Sequence, residues 1–553
     1  MDTRRLILFV IFSFSIMMLW DSWQKKNAPI ADVKQQVQQE VPTSSTGNAT
    51  NTSDAVAVNN TAGDGSFKLE NGQRIKVVTD LFQAEIDTNG GDLRRLVLNK
   101  HSAEESKDGN FVLMSDAQKP MLYIAQTGLM GNDLPNHKSL FTSAATSYTM
   151  AAGAASQEVR LSWLGTGAAN GISVDKIYTF HRGSYVIDVS YQINNGSATA
   201  IMPSAYYQIV HDSESKQGSA MMPTFTGGAY YTEVDKFKKI NFADMADENL
   251  SKPSKDGWIG LIEHYFASAW IPKSGVNREL YTKQLSENIF AVGAVTPAVN
   301  IAAGAKTEIN AQLFAGPQTE QDLNAAAPGL EYAVDYGWLT VIAKPLFWVL
   351  TKLNDLVHNW GVAIILLTVL IKAAFYPLSA KSYKSMAQMR ELAPRLQSMK
   401  EKFGDDKQKM QQAMMEMYRT EKINPMSGCL PILVQIPVFI ALYWMILGSV
   451  ELRHAPFFGW IQDLSAIDPY YVLPILMGAT MIIQTSLNPA PTDPIQAKVM
   501  KVMPVVFSVF FFFFPAGLVL YWLVNNVLSI AQQWYVNKSI HAAALLKKGN
   551  AAK

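Results

Sequence analysis

The hydrophobic pattern of this chain changes character at Asp335. Over residues 67–316, short β-branched and aromatic runs alternate partly with polar residues and are punctuated by Gly, Asn and Pro. IKVVTDLFQAEIDT, EVRLSWLG, SYVIDVSYQIN and TEINAQLFAGP are typical. Such patterning over about 250 residues predicts a large all-β sandwich. No run within it is long enough to cross a membrane. After Asp335 the apolar runs lengthen, over residues 361–376, 429–448, 470–487 and 502–536. The last run has 35 residues. One span needs only about 20, and Pro515-Ala516-Gly517 offers a turn, so two short helices are expected there. A further apolar run, LILFVIFSFSIMMLW, follows MDTRR at the amino terminus. The fold class expected is a polytopic α-helical membrane protein with six spans, five of them a core bundle, plus the all-β sandwich.

The segments divide as follows. Residues 1–26 are expected to be an uncleaved signal anchor, since no small-x-small site follows the run and Trp20 and Trp23 suit an interface. Residues 27–66 are rich in Gln, Asn, Thr and Ser and read as a disordered linker. The sandwich takes 67–330, an interfacial amphipathic helix 331–358, the membrane core 359–537 and a basic tail 538–553. In the amphipathic segment Trp338, Leu339, Ile342, Leu346, Leu350 and Leu353 recur at near-helical spacing. Within the core, residues 379–428 read as a helical hairpin. Met386, Met389 and Met399 line one arm, with a kink expected at Pro394. GDD at 404–406 turns the chain, and Met410 and Met414 line the return. The Met stripe either seals the two arms or offers an adaptable apolar surface to varied partners.

Charge orients the spans. Residues 379–428 carry ten Lys and Arg, whereas the loop over 449–468 carries only Arg453. Lys538, Lys547, Lys548 and Lys553 sit in the tail. By the positive-inside rule the hairpin and both termini are cytoplasmic and the sandwich is exported. The net charge of +1 over 553 residues argues against direct nucleic-acid specificity. Cys429 alone makes no internal disulfide. The chain has no Gly-rich phosphate loop, HExxH helix or GxSxG elbow, so neither a cofactor nor an enzyme is expected. His181, His211 and His264 are isolated and read as surface or core histidines.

Candidate chemistry lies in polar residues within apolar runs. Lys372 follows GVAIILLTVLI, and Thr368 shares its helical face. Gln435, Gln484, Ser508, Asn525 and Ser529 punctuate the other runs. Each alone fits an interhelical hydrogen bond, and Lys372 alone could snorkel to the headgroups. Together they fit a wet cavity open to the cytoplasm. A small-solute transporter and a sugar-acting enzyme remain as other classes.

DYGWL at 335–339, YPL at 376–378, SMAQMR at 385–390, NPMSGCLPILVQIPVF at 424–439, DPYYVLPILMG at 468–478 and FPAGLVLYW at 514–522 form a long ordered set. With these the whole chain resembles the YidC family of membrane protein insertases in its Gram-negative form. The resemblance implies an inner-membrane protein with a periplasmic sandwich similar to galactose mutarotases and five core spans around a hydrophilic groove. It implies nascent membrane proteins as clients, and the Sec translocon with its accessory subunits, the ribosome, the signal recognition receptor and the lipid bilayer as partners. Lys372 stands where the family usually has arginine. Trp522 stands where it often has tyrosine. The groove would comprise Lys372, Thr368, Gln435, Gln484, Ser508, Trp522, Asn525 and Ser529. The apolar exit path would run along Ile432, Ile436, Phe439, Val506 and Phe510.

Overall fold

The computed structural model describes residues 69–103, 109–117, 122–214, 224–403, 406–421, 430–487 and 494–551. The expected anchor (1–26), the linker (27–66), residues 404–405 of the hairpin turn and residues 422–429 lie outside the described residues. Residues 494–503 belong to one compact unit and the other described residues to a second.

Two sheets form the sandwich, with ten and nine strands among the described residues. The strand Val186–Asn195 shows why the sequence builds them. Ile187, Val189, Tyr191 and Ile193 are buried while the residues between them face outward or lie half-covered, the period-two pattern of a strand with one wet face. It pairs antiparallel with Ile172–His181 on one side and Lys306–Pro317 on the other. The inner faces meet over Phe82, Phe180, Trp258 and Trp270. Lys176 is fully buried there, its ammonium donating to the carbonyls of Gly90 at 3.0 Å and Thr127 at 3.3 Å. Two short helices, α1 (Phe242–Asp247) and α2 (Glu320–Ala326), decorate the sandwich. Thr319 caps α2 by accepting the amide of Asp322.

The helical region follows. Helix α3 (Thr340–Val357) buries Ala343, Phe347 and Leu350, half-buries Ile342, Leu346 and Leu353, and exposes Val341 and Trp348. Then come α4 (Trp360–Ala374) and α5 (Tyr376–Glu391), bent by 67° at Phe375. Helix α6 (Ala393–Phe403) and α7 (Lys407–Thr420) form the hairpin arms. The break expected at Pro394 falls at Leu392, so Pro394 sits in the first turn of α6, where its missing N–H costs no hydrogen bond. Asp406 caps α7 by accepting the amide of Lys409 at 3.1 Å. The core continues with α8 (Leu430–Gly448), α9 (Val472–Leu487), α10 (Pro494–Phe510) and α11 (Ala516–Ala551). The turn expected at Pro515 separates the last two. Among the described residues no single helix is long and apolar enough to cross a membrane, but the bent pair α4–α5 is.

The loop after α8 ties the helices to the sandwich. Arg453 donates from Nη1 to the carbonyl of Ser102 at 2.9 Å. Its guanidinium carbon lies 5.2 Å from the Phe111 ring centroid and 5.7 Å from that of Phe266. His264 Nε2 meets the carbonyl of Leu447 at 2.8 Å, and Val450 joins the sandwich core. Burial holds the His264 imidazole down at about 4. Burial pushes the Glu451 carboxyl in the same loop up to about 7, with Asp322 and Glu320 adding repulsion.

Candidate functional site

Helix α4 begins at Asn359, whose side chain accepts the amide of Val362 at 3.0 Å. From that start, Thr368 and Lys372 fall on one face, toward α11. Lys372 Nζ donates to Ser529 Oγ at 2.7 Å, so the ammonium is turned into the helices. Ser529 in turn donates to the carbonyl of Asn525 at 2.7 Å. The Asn525 carboxamide oxygen accepts from Gln435 Nε2 on α8. Gln435 also lies 3.4 Å from the Tyr521 hydroxyl. Three helices thus contribute one connected polar chain. Thr368 is fully buried beside it, donating to its own helix at the carbonyl of Ile364, 2.7 Å away. A cavity of about 20 Å³, lined by Lys372, Gln435, Ser379, Phe375 and Val434 among others, adjoins this chain. That is room for about one water molecule.

Helix α11 carries two polar stripes. Asn525, Ser529 and Gln532 follow the i, i+4, i+7 spacing, and Gln532 reaches the carbonyl of Tyr376 at 3.5 Å. Asn526 and Gln533 face α9 instead, at Thr480 and Leu487.

The other expected groove residues stand apart from the polar chain. Gln484 is half-buried on α9. Ser508 donates to the carbonyl of Pro474 at 3.0 Å and so ties α10 to α9. Trp522 packs edge-on against Phe439 at 4.5 Å and lies 5.6 Å from Phe511. One residue earlier, Tyr521 supplies the hydroxyl that the tryptophan lacks, a residue the sequence reading passed over. Of the exit-path residues, Ile436 and Val506 are exposed, Phe439 abuts Trp522 and Phe510 packs on Phe511 and Phe514. The Ile432 side chain lies outside the described residues. The methionines expected along one hairpin arm are divided by the break at Leu392, Met386 and Met389 on α5 and Met399 on α6; Met389, Met399, Met410 and Met414 are half-buried, and Arg395 pairs with Glu421 at 2.8 Å across the arms. Met386 lines a cavity with Gln533 and Asn537 of α11.

No group of three or more His, Cys, Asp and Glu fit to hold a metal occurs among the described residues. His181 pairs with Asp188 at the surface at 2.7 Å. His211 is fully buried, 3.6 Å from Glu263.

Residues 74–349 match the family model for the YidC periplasmic domain, and residues 352–543 match the model for the 60Kd inner membrane protein. The chain is 65% identical to the membrane protein insertase YidC of Methylobacillus flagellatus over 100% of both chains. It is 50% identical to that of Nitrosospira multiformis over 98% of both. Among solved structures it is similar to an active YidC insertase with its first transmembrane domain resolved. That likeness covers 84% of this chain and 93% of the other, at 18% identity and a TM-score of 0.40.

Proposed function

Since this chain belongs to the YidC family of membrane protein insertases, we propose that the polar chain from Lys372 to Gln435 receives the hydrophilic flank of a nascent membrane protein. The observation that carries this reading is the inward-turned ammonium of Lys372, held on Ser529 at 2.7 Å between three helices. An ammonium exposed to hydrocarbon costs about 2.5–3.5 kcal/mol at mid-bilayer, so its place on a polar path calls for a function. Lys372 attracts acidic residues of the flank. Ser529, Asn525, Gln435 and Tyr521 replace part of its hydration as it enters.

The helix that carries the lysine is also short. Helix α4 has 15 residues, about 22 Å at 1.5 Å per residue, against a hydrocarbon core of about 30 Å. A bilayer beside such a helix thins locally, so the flank crosses less hydrocarbon there. The apolar segment then leaves along α8 and α10, past Ile436, Phe439, Val506 and Phe510, and its burial in lipid at about 25 cal/mol per Å² drives the step. No nucleotide is consumed.

In this reading the amino-terminal run is the first of six spans. Both termini and the hairpin face the cytoplasm, and the sandwich lies in the periplasm. The hairpin is the landing side for the ribosome and the signal recognition receptor, and the Sec translocon with its accessory subunits is a partner for larger clients.

The test replaces Lys372 by alanine and by arginine and follows insertion of a single-span reporter with an acidic exported tail. Alanine is expected to slow insertion about fivefold, the worth of one cation near an anion at this kind of surface, while arginine retains it. Equal rates for all three proteins would rule the charge out.

A further inference from the structure

A cavity of about 250 Å³ opens between α5, the end of α9 and the extended end of α11. Its polar lining is Arg390 and Glu391 from α5 with Gln533 and Asn537 from α11, and its apolar lining includes Met386 and Leu487. Neither Arg390 nor Glu391 makes an ion pair among the described residues. The cavity is below the 300–1,000 Å³ of sites for drug-sized molecules, so it fits a headgroup rather than a whole ligand.

Its height is marked on α11. Trp534 and Tyr535, beside Gln533, are 59% and 60% exposed. Lys538 Nζ lies 5.2 Å from the Trp534 ring centroid. Exposed Trp and Tyr followed by a lysine sit at a membrane–water boundary. Leu487 is the last residue of α9 and stands at the same level.

We infer that this cavity holds the headgroup of a zwitterionic aminophospholipid from the adjoining leaflet. The charge pattern makes the choice. A guanidinium alone would favour any anionic lipid, but here a carboxylate stands next to it. Arg390 pairs with the phosphate. Glu391 accepts N–H bonds from the primary ammonium, which a trimethylated headgroup cannot donate. The Gln533 and Asn537 amides complete the polar rim, and an acyl chain lies along Met386 and Leu487. This site is independent of the polar chain at Lys372. A lipid bound there would brace α5 against α11 at the root of the hairpin.

The full chain is tested in nanodiscs of equal parts phosphatidylethanolamine, phosphatidylglycerol and phosphatidylcholine, with retained lipid counted by native mass spectrometry after detergent release. Phosphatidylethanolamine is expected to be retained over both others. E391Q is expected to lower that preference about fivefold and shift it toward phosphatidylglycerol, and R390Q to lower retention of both about fivefold. Ala387 also lines the cavity, and A387F should empty it by filling the space. Equal retention in the parent and all three variants would overturn the inference. So would a parent preference for phosphatidylglycerol, which would make the site a plain cationic patch. Displacement of lipid by soluble phosphoethanolamine or by a short acidic peptide at equal concentration would also overturn it, assigning the cavity to a metabolite or a client segment.

Discussion

At the scale of single residues, Ser529 matters as much as the lysine it meets. It accepts from Lys372 and donates to its own helix at Asn525. S529A would leave the half-buried ammonium short of an acceptor, at a cost of about 1–3 kcal/mol. The expected readout is a lower thermal midpoint in detergent with retained lysine accessibility. An unchanged midpoint would mean that water replaces the hydroxyl at no cost. Arg453 is the second such residue, since one side chain joins a carbonyl of the sandwich to two aromatic faces. R453A is expected to loosen the joint by about 1–3 kcal/mol, seen as faster hydrogen exchange in residues 99–103. Lysine, glutamine and asparagine within apolar runs were legible in the sequence because each is rare there. Tyr521 was not. One residue is 100° of helix, and in an aromatic and aliphatic run like LVLYWLV nothing fixes which neighbour faces the polar partner.

At the scale of elements, α4 packs against the loop after α8 with no space to spare. A Cβ at Gly361 would come within 2.1 Å of the Phe457 ring and 2.9 Å of its Cβ. G361A is expected to destabilise the helical region by about 1–3 kcal/mol through overpacking, checked by denaturation in mixed micelles. The joint between the sandwich and the end of α8 also responds to pH in two directions. His264 is held down at about 4 against an ordinary 6.5, so the unfolded chain binds the extra proton and docking weakens as pH falls from 6.5 toward 4. Glu451 is raised from 4.5 to about 7, so the folded chain holds the extra proton and docking weakens as pH rises through that interval. The two slopes oppose each other between about 4.5 and 6.5, so the joint should be tightest over that interval, and E451Q should abolish the alkaline loss while letting the His264 loss begin as high as pH 6.5. A cysteine pair across the joint, with cross-linking yield followed from pH 4 to 8 in the parent and in E451Q, would show this, and a flat profile in both would refute it. Element types were well marked in the sequence, because periods of 2 and 3.6 separate sandwich from helices and Pro515 and Asp406 mark a turn and a cap. The break before Pro394 came two residues early, because a proline is accommodated in a helix's first turn and pushes the break ahead of itself.

At the scale of the molecule, sandwich and helices meet through contacts far apart in sequence. Arg453 and Ser102 are separated by 351 residues. No local pattern reveals such a pairing, so the division into two regions was legible and their joint was not. Excising residues 67–313 is expected to leave insertion of the single-span reporter in place, because among the described residues the polar chain is built from the helices and takes nothing from the sandwich. It should also lower the thermal midpoint of the helices, since the Leu447 carbonyl and Val450 lose their cover. Complete loss of insertion by a folded truncated protein would move the function into the sandwich.

The 67° elbow at Phe375 has a mechanical consequence. It makes α5 a crank whose far end carries the hairpin and whose near end begins four residues after the ammonium. A heavy body leaning on the hairpin would twist the last turn of α4 and stretch the grip of Lys372 on α11 before any polypeptide reached it. Spin-label distances between α6 and α11, measured with and without such a load, should lengthen in step with water access to Lys372.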